Sequence, residues 1–348
     1  MNTRKIRRVF AACVAFILIS SVTSPALALT PTELVPVGQT VGIDIRCDGV
    51  MVVVIGEVES EHGTVAPGAV AGLLPGDVIT QVGAVEIASA AQFKEVIEQA
   101  AGETVSVHVR RGEQKLQLNI TPAMDKSGKY ELGLWLRDSM AGIGTVTFYD
   151  PKSGIFGALG HSVSEVETGT LMPLADGSIM PASVKSIRKG APGAPGELSG
   201  EFDFTQKIGS LFANTMTGIF GHAADPATFS QTDPLPLGTG CDLTLGAAKI
   251  RANVEGTEIR EFDIEISRIF SGGDDRNMMI TVTDPALLAL TGGIVQGMSG
   301  SPIVQNGKLV GAVTHVLINN PERGYGICIA HMVEHAFGAS AFGEDMAA

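Results

Sequence analysis

Residues 297–302, Gly-Met-Ser-Gly-Ser-Pro, contain the residue types of a serine nucleophile. A serine hydroxyl attacks a carbonyl only when a base removes its proton and hydrogen-bond donors stabilise the resulting oxyanion. Gly297 lets the backbone turn so that its own amide and the amide of Ser299 point at one place. Gly300 allows close approach behind the hydroxyl. The pattern therefore predicts Ser299 as the nucleophile and the amides of Gly297 and Ser299 as the oxyanion hole.

A base must lie near that hydroxyl, and histidine is the usual choice because its unperturbed pKa is about 6.5. The sequence offers seven histidines: His62, His108, His161, His222, His315, His331 and His335. His161 follows a predicted strand and lies among small residues in the segment 156–163. Small neighbours leave an imidazole room to reach both a serine and a substrate. We therefore predict His161 as the base.

The nucleophile segment resembles the Gly-Asp-Ser-Gly-Gly-Pro sequence of trypsin-like proteases. An Asn-Gly pair at 306–307 lies between two apolar runs and predicts a β-hairpin directly after it, as in those proteases. Ser301 is the rival nucleophile, but it would put Gly300 instead of Gly297 at the turn. The resemblance implies that His315, after the second hairpin strand, shapes the pocket for the substrate residue before the cleaved bond.

Several longer stretches resemble the SpoIVB peptidase family (stage IV sporulation protein B) of endospore-forming bacteria. They are residues 142–147, 154–161, 189–197, 214–221 and 291–315. The resemblance implies a catalytic set of His161, Asp284 and Ser299, in which the aspartate orients the imidazole. In trypsin-like chains this aspartate lies nearer the histidine in sequence. Asp284 could therefore be a turn or pocket residue, and Asp150 and Asp176 stay open as alternatives.

Residues 331–335, His-Met-Val-Glu-His, match the H-x-x-E-H pattern of inverted zinc peptidases. That chemistry also needs a third ligand from a helix further downstream, and only a short Ala/Gly-rich tail follows. We predict a terminal helix here and no metal site. The proposed serine chemistry needs no metal and no organic cofactor.

Residues 41–123 resemble a PDZ domain, most clearly in the segment 69–79, Ala-Val-Ala-Gly-Leu-Leu-Pro-Gly-Asp-Val-Ile. The resemblance implies that an extended peptide pairs beside the strand starting near Ile43, with its carboxylate facing the amides near Val41 and Gly42. The ligand could be a partner or the protein's own chain. A module that only packs against the peptidase, or restrains it, is the alternative.

The expected fold is mostly β, with few helices. Residues 1–28 combine a basic start, an apolar run and an Ala-Leu-Ala end, which predicts a secretory signal or an N-terminal anchor. We expect a linker at 29–40, the PDZ domain at 41–123, and a trypsin-like double β-barrel peptidase at 124–348. Short strands separated by Gly- and Asn-rich turns support a barrel.

The net charge of −13 argues against a nucleic-acid partner and against adhesion to anionic lipid. Membrane contact is expected only through the N-terminal segment. Outside that segment the cysteines are Cys47, Cys241 and Cys328. Their odd number and spacing favour buried small side chains over a disulfide framework or a metal site.

These features predict an exported serine endopeptidase. The SpoIVB resemblance implies sporulation, the space between mother cell and forespore, a membrane-associated regulator that restrains pro-sigma-K processing as substrate, and self-cleavage. One alternative is a non-catalytic scaffold that binds partners through its PDZ domain. Another is a general envelope quality-control protease, although such proteases of the high-temperature-requirement type carry the PDZ domain after the peptidase.

Overall fold

The computed structural model describes residues 31–61, 63–238, 242–270 and 276–338. In these ranges the chain is mainly β-structure with a few short helices, which confirms the expected fold class. The predicted signal at 1–28 lies outside the described residues. No helix within the described ranges is long and apolar enough to cross a bilayer.

The first part of the described chain consists of short elements around one long strand. They are β1 (Glu33–Pro36), β2 (Thr40–Ile55), β3 (Val58–Ser60), β4 (Gly63–Val65), α1 (Pro67–Val70), β5 (Val78–Val82), β6 (Val85–Glu86), α2 (Ala90–Gln99), β7 (Val105–Arg111), β8 (Gln114–Ile120), β9 (Ala123–Met124) and β10 (Tyr130–Glu131).

The remaining elements are almost all strands. Those before residue 240 are β11 (Leu134–Tyr149), β12 (Ile155–Ala158), β13 (Asp176–Arg188), β14 (Glu197–Phe202), β15 (Gly209–Thr215), β16 (Gly218–Ala223), a 3-10 turn (Pro226–Thr228) and β17 (Leu235–Pro236). Those after it are β18 (Gly246–Glu255), β19 (Glu258–Ile269), β20 (Met278–Val282), α3 (Pro285–Thr291), β21 (Pro302–Gln305), β22 (Lys308–Leu317), β23 (Asn320–Cys328) and α4 (Ile329–Phe337).

Six strands close an N-terminal barrel in the order β2, β11, β12, β16, β15, β13 and back to β2. The closing pair joins β2 to β11, with Gly42 opposite Ile143. Alternate side chains point inward, as a barrel requires. The interior includes the buried residues Val41, Ile45, Val146, Phe156 and Ile179.

A second barrel of six strands closes in the order β18, β19, β20, β23, β22, β21. The predicted hairpin joins β21 to β22, and both turn residues, Asn306 (φ 52°) and Gly307 (φ 75°), have positive φ. Its core includes Ile250, Phe262, Ile264, Met278 and Val313. Two six-stranded barrels confirm the predicted double-barrel peptidase.

The PDZ unit shares strands β2 and β11 with the first barrel. Beyond the barrel, β2 continues and pairs with β5, with Val50 opposite Ile79, and the sheet extends through β7 to β8. The first part of β11 pairs with the same end of β2, with Leu134 opposite Ile55. The unit has its own core, which includes Leu73, Phe93, Ile97, Val107 and Val109.

Helix α2 begins where the sequence predicts it. The hydroxyl of Ser89 accepts a hydrogen bond from the Gln92 amide at 3.1 Å, which satisfies one of the free donors at the helix start. Phe93 and Ile97 lie on its buried face. The predicted cap and apolar face are therefore confirmed.

Residues 31–40, the part of the predicted 29–40 linker that the structure describes, do not form a linker. β1 pairs with β11 on one side and β17 on the other, and Leu34 is fully buried. The strand that starts near the predicted boundary at 41 belongs to both units: residues 40–46 lie in the barrel, and the same strand continues into the PDZ unit. One unbroken run of β-forming residues serves both units, so composition alone does not reveal the change.

Candidate active site

Residues 297–302 lead into β21 of the second barrel and are hydrogen-bonded to β11 of the first barrel. On β11, Thr145 donates from its amide to the Ser299 carbonyl at 2.9 Å and from its hydroxyl to the Gly297 carbonyl at 2.8 Å. Gly300 has φ 95°, and a Cβ atom there would overlap the Thr145 carbonyl oxygen. Only glycine fits at this position, which accounts for the close approach that the sequence predicted.

The two amides predicted to form the oxyanion hole lie two residues apart in this turn. The amides of Met298 and Gly300 donate to backbone carbonyls. Within the described part of the chain, the amides of Gly297 and Ser299 donate to no protein acceptor. Gly297 has φ 99°, a conformation that L side chains rarely adopt. The turn therefore offers two amide donors without a protein acceptor among the described residues, as an oxyanion hole requires.

His161 follows a tight turn at the end of β12. Leu159 (φ 70°) and Gly160 (φ 72°) are both left-handed, which for a leucine costs roughly 1–2 kcal/mol. A Cβ atom on Gly160 would lie 3.0 Å from Thr314 Cγ2. The turn thus redirects the chain so that His161 enters directly beside β22 of the second barrel.

Ser299 and His161 contact neighbouring residues of β22, Thr314 and His315. The Ser299 hydroxyl donates to the Thr314 carbonyl at 2.7 Å, and the rings of His161 and His315 have centroids 5.0 Å apart. His161 Nδ1 lies 2.8 Å from the Ser162 carbonyl. Because a carbonyl only accepts, this contact places the ring proton on Nδ1 and leaves Nε2 as a proton acceptor.

The ring of His315 lies against that of His161. Its predicted role in shaping the pocket for the substrate residue before the cleaved bond stays a prediction. Thr314 was not predicted, because it acts here through its backbone carbonyl and a side-chain pattern carries no signal for that.

Asn214 on β15 holds the loop that follows His161. Its side-chain oxygen accepts from the Val163 amide at 2.9 Å, and its nitrogen donates to the carbonyls of Val163 and Met172, both at 2.8 Å. We assigned no role to Asn214 from the sequence, although it begins one of the SpoIVB-like stretches. A polar amide on a barrel strand was the available signal.

Asp284 lies at the start of α3, where it caps the helix. Its Oδ1 accepts from the amides of Ala286 at 2.8 Å and Leu287 at 3.0 Å, and its Oδ2 accepts from the Asp263 amide at 3.3 Å. His161 Nδ1 faces the Ser162 carbonyl instead of a carboxylate. This geometry does not support the implied role of Asp284 as the partner of His161.

The two alternative aspartates lie in a turn and at an exposed strand end. Both carboxylate oxygens of Asp150 accept hydrogen bonds within its own turn, from Lys152 and Ser153. Asp176 is exposed at the start of β13, opposite Arg46 of β2.

The Asp284 carboxylate provides a direct test of this assignment. Partial burial acts to raise its pKa, but hydrogen bonds from the amides of Leu287, Asp263 and Ala286 outweigh that effect, so the pKa is lowered. A lowered pKa contributes stability above the unfolded-state pKa, and this contribution is lost as the pH falls through the folded-state pKa.

We expect Asp284→Asn, which keeps a good cap, to leave kcat/KM within about threefold of wild type, whereas the same change in a triad aspartate costs about 10⁴-fold. Asp284→Ala should lower the free energy of unfolding by about 1 kcal/mol. Peptide hydrolysis and urea unfolding at pH 7 measure the two effects. A loss of activity above a hundredfold in a folded Asn variant would restore Asp284 to the triad.

Val41, Gly42 and Ile43 cannot receive a peptide by strand addition. Residues 41–43 pair with β11 on one side and with β13 on the other, so β2 has no free edge there. The side chains of Val41 and Ile43 are buried in the barrel. The predicted position of the PDZ ligand strand is therefore wrong.

A groove of about 790 Å³ lies elsewhere on the PDZ unit, between α2 and residues 129–136. Phe93 and Ile97 of α2 line one side, and Tyr130 and Trp135 line the other. Trp135 is 69% exposed. Over residues 134–137, β11 pairs with β2 on one edge only, so its other edge faces this groove. Strand addition is therefore possible along β11.

The described residues contain no group of three His, Cys, Asp or Glu side chains that could hold a metal ion. The H-x-x-E-H residues lie on α4, where His335 Nδ1 contacts the His331 carbonyl at 3.1 Å. Cys47 and Cys328 are free and buried, and burial raises the pKa of Cys47 to about 11. Cys241 lies outside the described residues.

Comparison with known proteins gives matches for both units. The family model of SpoIVB peptidase S55 matches residues 128–333, and a PDZ domain model matches residues 37–121. A search of curated proteins gave no match.

Solved structures that are similar include the PDZ domain of the SdrC-like protein Lmo2051 from Listeria monocytogenes. It is 30% identical, with 26% of this chain and 87% of that chain covered and a TM-score of 0.21. The Rv3671c protease from M. tuberculosis, in its active form, is 16% identical, with 58% and 75% covered and a TM-score of 0.31. Its inactive form is 15% identical, with 56% and 81% covered and a TM-score of 0.30. Because the peptidase model spans more than half of the sequence, this chain belongs to the SpoIVB peptidase S55 family and is a serine peptidase with a PDZ domain.

Proposed function

We propose that this chain is an exported serine endopeptidase in which Ser299 is the nucleophile and His161 is the general base. The observation that supports this most is the junction of the two barrels. A Cβ atom on Gly300 would lie 3.0 Å from Leu159 Cα, and a Cβ atom on Gly160 would lie 3.0 Å from Thr314 Cγ2. The turn that carries the nucleophile therefore packs against the turn that precedes the base, although the two are far apart in sequence.

The reaction begins with a rotation of the Ser299 side chain. Its hydroxyl is bonded to the Thr314 carbonyl, which accepts a hydrogen bond but cannot remove the proton. The hydroxyl must therefore turn towards Nε2 of His161. Nε2 then takes the proton as Ser299 Oγ attacks the scissile carbonyl.

The later steps use the same groups. The oxyanion is stabilised by the amides of Gly297 and Ser299, and protonated His161 donates its proton to the departing amine. A water molecule, deprotonated by His161, then hydrolyses the acyl-enzyme. The Ser162 carbonyl keeps the imidazole oriented throughout, in the place where a triad would use a carboxylate.

The proposed substrate is a membrane-associated regulator outside the cytoplasm, cleaved at a limited number of sites during sporulation to signal towards pro-sigma-K processing. Membership in the SpoIVB peptidase S55 family and the signal-like N-terminal sequence support this role. We propose the space between mother cell and forespore as its location and include self-cleavage. Mass spectrometry of the purified protein's own fragments, wild type against Ser299→Ala, tests activity and self-cleavage together. Identical fragments from both proteins would contradict the proposal.

We further propose that the PDZ unit binds an extended peptide, from a partner or its own chain, between α2 and β11. Trp135 is the only tryptophan in the sequence, so its fluorescence reports on this groove alone. In Ser299→Ala protein, hexapeptides with apolar residues and a free C-terminal carboxylate should shift Trp135 emission to shorter wavelength, because binding removes the indole from water. Lys94→Glu, at the rim of the groove, should raise the dissociation constant of the peptide about tenfold, because a positive charge near the peptide carboxylate becomes negative. Unchanged emission at saturating peptide would leave the unit with a packing role only.

A further inference from the structure

A substrate bound beside Ser299 would lie along the end of β22. Beyond the Pro302–Ala312 pair, the Val313 amide donates to the Ser301 carbonyl and the Val313 carbonyl accepts from the Gly300 amide. The next carbonyl, that of Thr314, accepts from the Ser299 hydroxyl, so a substrate strand at Ser299 passes this part of β22. The side chain nearest Ser299 Oγ then points between the end of β22 and the segment 292–298 that precedes the nucleophile.

Ile294 is buried between this segment and the β22–β23 hairpin. Its side chain is 2% exposed, and a Cβ atom on Gly324 would lie 2.5 Å from Ile294 Cδ1. The Ile294 amide also donates to the Pro321 carbonyl at 2.8 Å. Gly324 lies opposite Val316 of β22, which packs against the same apolar cluster. The segment before the nucleophile and the β22–β23 hairpin are therefore in direct contact through Ile294. Little room is left between them for a substrate side chain.

The loop at 189–196 holds the two walls at this separation. The Gly190 amide donates to the Thr291 carbonyl at 2.8 Å, on the wall before the nucleophile. The Gly193 amide donates to the Ile318 carbonyl at 2.9 Å, on the hairpin wall. Since one short loop from the first barrel bonds to both walls, they cannot separate without breaking these bonds. This gives a role to the Gly/Pro-rich stretch of the sequence.

Two charged side chains near these walls, Arg323 and Lys189, are bonded elsewhere. On β23, Arg323 donates from Nη2 to Met279 Sδ of β20. On the loop, Lys189 Nζ is bonded to the Ala289 carbonyl. The residues in contact at the base, Ile294 and Val316, are apolar. A charged substrate side chain would find no partner there, and burying one unpaired is unfavourable.

We propose that this peptidase cleaves after small uncharged residues such as Ala, Gly or Ser, and that Ile294 is the residue that sets this limit. The inference rests on Ser299 as the proposed nucleophile. A shallow apolar base excludes long side chains by contact and charged ones by desolvation. The loop at 189–196 prevents the pocket from widening to accept them.

The test uses peptidyl diphenyl phosphonates that differ only in the side chain next to phosphorus, with those of Ala, Leu, Phe and Lys. For wild type we expect inactivation by the Ala reagent to be at least about tenfold faster than by the other three, as steric exclusion of this size commonly gives. Ile294→Ala should reverse the order of Ala and Leu. Ile294→Val, a milder change that keeps the core filled, should narrow the difference.

Ile280→Ala is the matched control, since it removes the same atoms from a fully buried site on β20 of the same barrel. It should lower stability and leave the order of the reagents unchanged. A small fluorophosphonate without a side chain shows whether the nucleophile works at all. Failure of that reagent overturns the proposed function. Normal labelling with faster inactivation by Leu, Phe or Lys reagents, or an unchanged order in both Ile294 variants, overturns the inference about Ile294 alone.

Discussion

Ser299→Ala is expected to reduce peptide hydrolysis by about six orders of magnitude, the loss seen when a serine protease lacks its nucleophile. The fold should be unaffected, because the bonds from Thr145 reach the backbone carbonyls of Ser299 and Gly297 and not the hydroxyl. Only the hydrogen bond to the Thr314 carbonyl is lost. Fluorophosphonate labelling of the intact protein, followed by mass spectrometry, measures the effect with a single covalent event.

Ser301→Ala is the matched control for this variant. Ser301 lies two residues further on and was the rival nucleophile in the sequence, but its side chain is fully buried. A buried hydroxyl cannot reach a substrate carbonyl, so the Ser301 variant should label at the wild-type rate. Labelling that persists in Ser299→Ala and disappears in Ser301→Ala would assign the chemistry to Ser301.

Gly300→Ala is expected to be strongly destabilising, because the methyl group would be added where the two barrels touch. The added Cβ would overlap the Thr145 carbonyl oxygen and lie 2.6 Å from the Leu159 amide nitrogen. Both are backbone atoms of the first barrel, so neither can move aside as a flexible side chain would. We expect a loss of about 4 kcal/mol or more in unfolding free energy, and a Tm lowered by roughly 10 °C.

The control for this prediction is Gly307→Ala in the β21–β22 turn. Gly307 also has positive φ, 75°, but no atom lies within 4 Å of an added Cβ. It should therefore lose only the roughly 1–2 kcal/mol that a left-handed L residue costs. Thermal unfolding followed by circular dichroism compares the two variants. Equal losses would mean that backbone conformation alone, and not contact between the barrels, requires glycine at 300.

Local patterns in the sequence were sufficient for the features that depend on neighbouring residues. The Ser89 cap of α2, the Asn-Gly hairpin and the β-rich architecture all follow from residue types at short spacing, and the structure has each of them. The turn around Ser299 belongs to the same group. Its glycines have positive φ at 297 and 300, as a sharp turn with exposed amides requires.

Long-range pairing accounts for the predictions that failed. β2 is one continuous run of β-forming residues, and nothing in residues 41–43 distinguishes a barrel strand from a PDZ ligand edge. The difference arises only because β11 and β13 occupy both edges of β2 there. The same strand β11 then presents a free edge at 134–137, beside α2.

The site divides in the same way. Residue chemistry and spacing were sufficient to select Ser299 and His161 as candidates, because few other residues combine a reactive group with small neighbours. Whether Asp284 faces His161 or caps α3, and whether Ile294 packs against the β22–β23 hairpin, depends on how strands distant in sequence come together. Such contacts join residues that share no local pattern, so only the tertiary structure decided them.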